Sequence, residues 1–420
     1  MIILATILSA LSLLMGVQFF VQNKPPGDAL PFGWFAKLIA GALSPFWGIM
    51  GAVGAVVGWI YQAYWAIPMG ILGAGTMLWY IWQSTRSHAG FEKAFGTGWS
   101  NQIPSGQTRQ MLQKRWTLFT KKPSPAPVWE RDVAFWTIPG TGRDLLCDIW
   151  RPADGNVSGL AMVFFHGGSW TALDKDFGTR PFFRHLAAQG HTVMDVSYRL
   201  CPEVDFFGMM EDVKRAVAWM KENASRYAVN PEKIVIAGNS TGGHIAMLGG
   251  YAPNHPELTP EDLIGIDLSV CGVISFYGPT DMLNGYSLWN VKQRSEKLPP
   301  VSIGSKLDPN KAFLYGGLTN LFLGGHPEDI PEVYQLASPT THVHHNSPPT
   351  LLIQGDKDLL VPLKTTLAHF KKLVECGVPA IKVVYPWTEH GFDLLLPQTN
   401  PAAQSALYDV DRFLAILANK

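Results

Sequence analysis

The chain has 420 residues with 33 basic and 33 acidic side chains, and charged residues are 16% of it, against roughly 25% in an average soluble protein. Balanced charge without an extended basic run argues against nucleic acid as a partner. Four scattered cysteines, Cys147, Cys201, Cys271 and Cys376, exclude a zinc ribbon or a disulfide-framed miniprotein.

The shortage of charge is local. Between Met1 and Trp82 only Lys24, Asp28 and Lys37 are charged, so residues 1–85 read as a membrane segment. Two or three transmembrane helices are expected, with spans at about 1–23, 38–60 and 66–85. A cleaved signal peptide is the competing reading of the first, although a positive n-region and a small-x-small cleavage site are not evident. Leu38–Thr85 is uncharged throughout, long enough for two helices with a break near Tyr61–Pro68. Its tryptophans suit membrane interfaces, and Gly51, Gly54, Gly58, Gly70, Gly73 and Gly75 suit close helix approach. Lys24, Lys37 and eight basic residues between 83 and 131 fall on one side of a three-span arrangement, which the positive-inside rule makes cytoplasmic.

Residues 86–131 form a connector. Gln107–Lys122 has the spacing of a basic amphipathic helix with Met111, Leu112, Trp116 and Phe119 on its apolar face, and an ordinary packed linker helix is the alternative. From 132 to 420, short β-branched runs alternate with helical stretches, the pattern of an α/β domain with a mostly parallel sheet and helices on both faces. Eight strands are expected, at Val133–Ile138, Leu145–Trp150, Leu160–Phe165, Thr192–Ser197, Lys233–Ala237, Gly272–Tyr277, Thr350–Gln354 and Ile381–Tyr385. Helices are expected at Phe207–Tyr227, Gly242–Gly250, Leu363–Cys376 and Pro401–Ala418. The stretch 281–347 exceeds an ordinary connection; with Trp289, Leu314, Tyr315, Leu321, Phe322 and Leu323 it reads as a lid, an acyl-pocket wall or a self-packed insertion.

The strongest chemical signal is Gly238-Asn-Ser-Thr-Gly-Gly243, directly after an apolar strand and opening a helix. A serine on such a turn is presented at the carboxyl edge of the sheet, which makes Ser240 a nucleophile candidate. Its hydroxyl needs a base, and the base an orienting acid, in the chain order Ser, acid, His. Asp358 follows the seventh strand, with Asp356 as the alternative, and His390 follows the eighth. An oxyanion would need backbone donors, for which Gly167, Gly168 and Ser169 after the third strand and Thr241 after the nucleophile are the candidates.

Together, His166-Gly-Gly-Ser-Trp170, Tyr198-Arg-Leu-Cys-Pro-Glu203, the Ser240 turn, the Asp358 turn and His390-Gly-Phe392 resemble the hormone-sensitive-lipase-like α/β-hydrolases, over about residues 140–420. The resemblance implies an eight-stranded α/β-hydrolase sheet, a Ser240–His390–Asp358 triad and hydrolysis of carboxylic esters. Ser169, Asn239 and Thr241 depart from the usual third glycine and acid–alanine pair, and formamidases share a non-glycine residue at the first of these places. The expectation is therefore a membrane-anchored serine carboxylesterase or lipase acting on small-molecule or lipid esters. An amide or formamide hydrolase or peptidase with the same triad is the alternative, and a non-catalytic binding module is disfavoured by the intact triad. No cofactor is expected. His342, His344 and His345 lack the further ligands a metal would want.

Overall fold

The computed structural model describes residues 1–21, 32–104, 111–120, 125–153, 155–284 and 317–420. Lys24, Arg109, Lys121 and Lys122, with Trp289, Leu314 and Tyr315 of the long insertion, lie outside the described residues.

Eight strands form one sheet in the order β1-β2-β4-β3-β5-β6-β7-β8. They are β1 (Val128–Thr137), β2 (Asp144–Arg151), β3 (Ala161–Phe165), β4 (Thr192–Val196), β5 (Ile234–Asn239), β6 (Gly272–Phe276), β7 (Thr350–Gly355) and β8 (Ala380–Tyr385). β2 runs antiparallel to both β1 and β4, and the remaining pairs are parallel. Every residue of β3 through β7 is buried, as parallel strands covered on both faces require. This explains their continuous apolar runs. Seven strands lie where the β-branched runs place them; β1 begins at Val128, earlier than the expected Val133 and inside the expected connector, and the parallel carboxyl ends open towards one edge.

Four helices precede the sheet: α1 (Ile2–Val17), α2 (Phe32–Ala42), α3 (Ser44–Ile60) and α4 (Ala66–Thr85). α5 (Gly90–Phe95) follows them. Within the domain lie α6 (Arg180–Ala188), α7 (Phe206–Glu222), α8 (Thr241–Tyr251), α9 (Gly317–Leu323), α10 (Pro331–Leu336), α11 (Leu363–Glu375) and α12 (Pro401–Ala418). One face of the sheet is covered by α7, α8 and α11, with Met210, Val213, Leu248 and Leu373 packed on it. The other is covered by α6 and α12 through Phe183, Leu186, Val410 and Phe413.

The expected span at 38–60 is broken near its start. The chain bends by 79° between α2 and α3. Pro45 in the first turn of α3 has no N–H to continue the preceding helix, and its ring would clash with the carbonyl four residues back. The Ser44 hydroxyl instead donates to the Gly41 carbonyl across the break at 2.9 Å. Among the described residues, only Ile2–Phe20 is by itself long and apolar enough to cross a bilayer; α2 and α3 pass together as a bent pair. Membrane anchors, signal sequences and the core helices of soluble proteins all pass this test.

α1, α3 and α4 pack against one another through small residues. A Cβ at Gly54 would lie 2.4 Å from Ser9 Oγ, and one at Gly51 or Gly73 would lie 2.4 Å from Ser12 Oγ. Gly75, by contrast, has nothing within 4 Å and faces outward. Ile7, Leu14, Val56, Ile71, Leu78 and Trp82 also point outward, so the bundle presents an apolar exterior around a core of glycine, alanine and serine.

The connector departs from the amphipathic-helix reading. Residues 111–120 are not helical and lie along α12. Leu112 N–H donates to Asp411 at 2.9 Å, Arg115 pairs with Asp409 at 2.6 Å, Trp116 Nε1–H donates to the Thr399 carbonyl at 3.1 Å, and Thr117 N–H donates to Gln404 at 2.9 Å. Asp409 and Asp411 are fully buried, and buried carboxylates need donors. The connector supplies them from backbone and arginine, and that demand overrides its own helical periodicity.

Gly73→Leu should separate α1 from α4 and lower unfolding stability in detergent by about 1–3 kcal/mol, the usual cost of overpacking. Gly75→Leu, placed on the open side, should leave it unchanged or slightly raised. Thermal unfolding of the two variants side by side checks this.

Candidate active site

Ser240 sits between β5 and α8 with φ 52° and ψ −122°, a conformation that side-chain-bearing residues adopt only under constraint. The flanking glycines are steric necessities. A Cβ at Gly242 would lie 2.0 Å from the Phe165 carbonyl oxygen, and one at Gly238 would lie 2.4 Å from the Gly242 carbonyl. The turn is thus wedged against the end of β3, which explains the spacing of small residues around the serine.

The structure brings Ser240, His390 and Asp358 into one hydrogen-bonded line. His390 Nε2 is 2.8 Å from Ser240 Oγ, and His390 Nδ1 is 2.9 Å from Asp358 Oδ2. Asp358 also accepts from Gln354 Nε2 at 2.8 Å and from the N–H groups of Leu360 and Val361 at 2.9 and 2.7 Å. Four donors hold one carboxylate that is shut off from water. Asp356, the alternative acid, has no described bond to the imidazole and points elsewhere; its burial raises its carboxyl. Gly391 follows His390 with φ 78° and nothing within 4 Å of an added Cβ, so the glycine serves backbone conformation and not relief of crowding.

The oxyanion candidates divide. Gly167 N–H donates to Asn239 Oδ1 at 2.6 Å, so it is already engaged and leaves the set. Gly168 and Ser169 follow with φ 131° and 56°, and no acceptor for their N–H groups is found among the described residues. A Cβ at Gly168 would lie 1.9 Å from the Ala172 carbonyl oxygen. Thr241 opens α8, where first-turn N–H groups lack an intrahelical acceptor. Gly168, Ser169 and Thr241 therefore remain as the candidate donors.

Two supports escaped the sequence reading. The Tyr277 ring lies 4.3 Å from the His390 imidazole, and its hydroxyl donates to Asp393. The other is Glu389, which with Lys37 forms a buried pair beside His390. A cavity of about 450 Å³ lies between α6, α12 and the connector, with Trp150, Phe164, Phe182 and Asp393 in its wall. Neither Ser240 nor His390 lines it. Among the described residues no group of three or more potential ligands could hold a metal ion. His342 is turned to the Leu336 carbonyl, and His344 to the Asn346 N–H.

Burial raises the Asp393 carboxyl from 3.8 to about 6, against the opposing Tyr277 hydrogen bond. The folded state thus holds this proton more tightly than the unfolded one. The stability it contributes is full below pH 3.8 and is lost as pH rises through about 6. Asp393→Asn should remove that loss, so the stability gained by the variant should grow by roughly 2–3 kcal/mol between about pH 4 and 7. Urea unfolding of both proteins across that range measures it.

The family model described as BD-FAE matches residues 147–373, more than half of the chain. The probable carboxylic ester hydrolase LipM of Mycobacterium tuberculosis is 31% identical over 277 residues, covering 65% of this chain and 58% of LipM. The esterase LipQ of the same organism is 26% identical over 387 residues, covering 87% of this chain and 85% of LipQ. Among solved structures, the Thermogutta terrifontis esterase Est2 with propionate bound superimposes with a TM-score of 0.53 at 24% identity, over 69% of this chain and 94% of its own. A truncated carbohydrate esterase from gut microbiota gives 0.52 at 21% identity, over 71% and 100% of the respective chains. The sheet order, the shared fold and the extent of the family match lead to one conclusion: the chain belongs to the BD-FAE family of α/β-hydrolases.

Proposed function

We propose that this protein is a membrane-anchored serine carboxylesterase or lipase that hydrolyses apolar carboxylic esters through an acyl-enzyme. The observation that carries this reading is the line Ser240–His390–Asp358, with bonds of 2.8 and 2.9 Å, on a strand–turn–helix beside free N–H donors. The named activity of LipM and LipQ supports an ester over an amide.

Ser240 Oγ attacks the ester carbonyl while His390 Nε2 takes its proton. The developing oxyanion is met by the N–H groups of Gly168, Ser169 and Thr241, each donor of this kind being worth about 3–4 kcal/mol in other enzymes. Asp358, held by Gln354 and two backbone donors, keeps the imidazole in the tautomer that accepts from serine and stabilises the imidazolium. His390 then protonates the leaving alcohol, and a water activated by the same imidazole releases the acid. α1 and the apolar exterior of the N-terminal bundle support anchoring in a bilayer, where apolar esters concentrate. The basic residues after α4 support a cytoplasmic catalytic domain. Lys37 and Arg115 carry less of that argument than their charge suggests, because both are paired internally.

Hydrolysis of p-nitrophenyl esters from acetate to palmitate by detergent-solubilised full-length protein tests the proposal. Ser240→Ala should remove turnover to background, and Asp358→Asn should lower kcat by about 10⁴-fold. The chain-length optimum separates esterase from lipase. Undiminished turnover in Ser240→Ala, or no turnover of any ester by the unmodified protein, would overturn it.

A further inference from the structure

The segment that carries His390 is gripped by the N-terminal helices. The Trp387 ring lies 3.3 Å, centre to centre, from that of Trp79 on α4 and 6.2 Å from Phe20. Tyr80 Oη is 3.4 Å from Thr388 Oγ1. Glu389, next in the chain, is 2% exposed, and its Oε1 accepts from Lys37 Nζ of α2 at 3.1 Å; Lys37 is itself 3% exposed. Lys37 also donates to the Val21 carbonyl at 2.9 Å, which ties it to the chain just after α1. The second oxygen, Glu389 Oε2, accepts the N–H of Leu359 at 3.1 Å. One carboxylate therefore bridges the residue before His390 and the residue after Asp358, and its counter-charge comes from outside the α/β domain.

We infer that Lys37 is a positioning residue for the triad, acting through Glu389 to hold the His390 and Asp358 loops at their bonding distance. The inference rests on the ester-hydrolase reading above. Burying a charge is costly unless it is paired, so removing the Lys37 ammonium loosens Glu389 and weakens its hold on Leu359. The Asp358 loop and the His390 loop then lose their shared pin. Misplacement of catalytic groups by about 1 Å costs on the order of 100-fold in rate, while substrate binding, which does not use this pair, is spared. The N-terminal helices are on this account part of the catalytic apparatus.

The test compares full-length, detergent-solubilised wild type with Lys37→Met, Lys37→Arg and the double variant Lys37→Met/Glu389→Leu. Active sites are first counted by the burst of p-nitrophenol from a p-nitrophenyl alkylphosphonate, and kcat and KM per titrated site are then measured on p-nitrophenyl butyrate. Lys37→Met should lower kcat by about 10- to 100-fold with KM within about twofold, and Lys37→Arg should restore most of it. The double variant, free of an uncompensated buried charge, should fold yet keep the kcat defect, because the Leu359 N–H has lost its side-chain acceptor. Wild-type kcat per titrated site in Lys37→Met or in the double variant would overturn the inference, since the pair would then serve only stability. So would equal rises in KM and falls in kcat that Lys37→Arg fails to rescue. A wild-type protein with no Ser240-dependent burst would instead sink the ester-hydrolase reading itself.

Discussion

The site depends on a crowded contact between two neighbouring strands. β3 and β5 lie side by side, so the first turn of α8 comes down directly onto the last carbonyl of β3. There is room for hydrogen at Gly242 and for nothing larger. That contact holds Ser240 in a left-handed conformation at the carboxyl edge, and it places the loop after β3 within reach of the same turn. Asn239 exploits the proximity: its side chain accepts from Gly167 and locks the loop that presents Gly168 and Ser169. The related esterases commonly carry an acid at this place. The amide oxygen accepts the same hydrogen bond without a charge, so the departure from the family pattern leaves the local architecture unchanged.

Around this fixed point the remaining groups arrive on long loops, and a loop end needs something to hold it. Asp358 is held by its own neighbours, through Gln354 on β7 and two backbone donors. The imidazole is held differently, by Tyr277 on one side and by a segment packed on the N-terminal helices on the other. The bundle that looks from its composition like a simple anchor thus contributes rings, a hydroxyl and a cation to the surroundings of His390. Its packing through Ser9, Ser12 and the glycines Gly51, Gly54 and Gly73 gives it a defined shape that could transmit such a constraint.

Much of this was legible in the sequence because it is local. Eight runs of β-branched residues became eight strands, and a serine flanked by small residues after a strand announced its own backbone geometry. The order of Asp358 and His390 followed from where strands ended. What the sequence did not disclose depends on partners far away in the chain. Lys37 and Glu389 are 352 positions apart, and nothing local marks either as half of a pair. Residues 111–120 have helical periodicity, yet the buried carboxylates of α12 draw them into an extended path. α6 was missed because arginines and a histidine interrupt its short apolar pattern, although its apolar face is clear once the sheet is there to receive it. The bend at Leu43 was legible and overlooked: Pro45 is a stop signal that a purely hydropathic reading passes over.

The connector has a consequence for how the enzyme meets its surroundings. An α/β domain hung from an anchor by a loose leash would sample many heights and tilts, and its serine would sweep a volume. Here residues 111–120 are stitched along α12 by Asp409, Asp411 and Gln404, and the bundle is bolted to the His390 segment as well. Two attachments at separate points remove both the swing and the roll. If the N-terminal helices sit in a bilayer, as proposed, Ser240 would meet that surface at one height and one angle, and substrate would reach it by lateral diffusion past a stationary mouth.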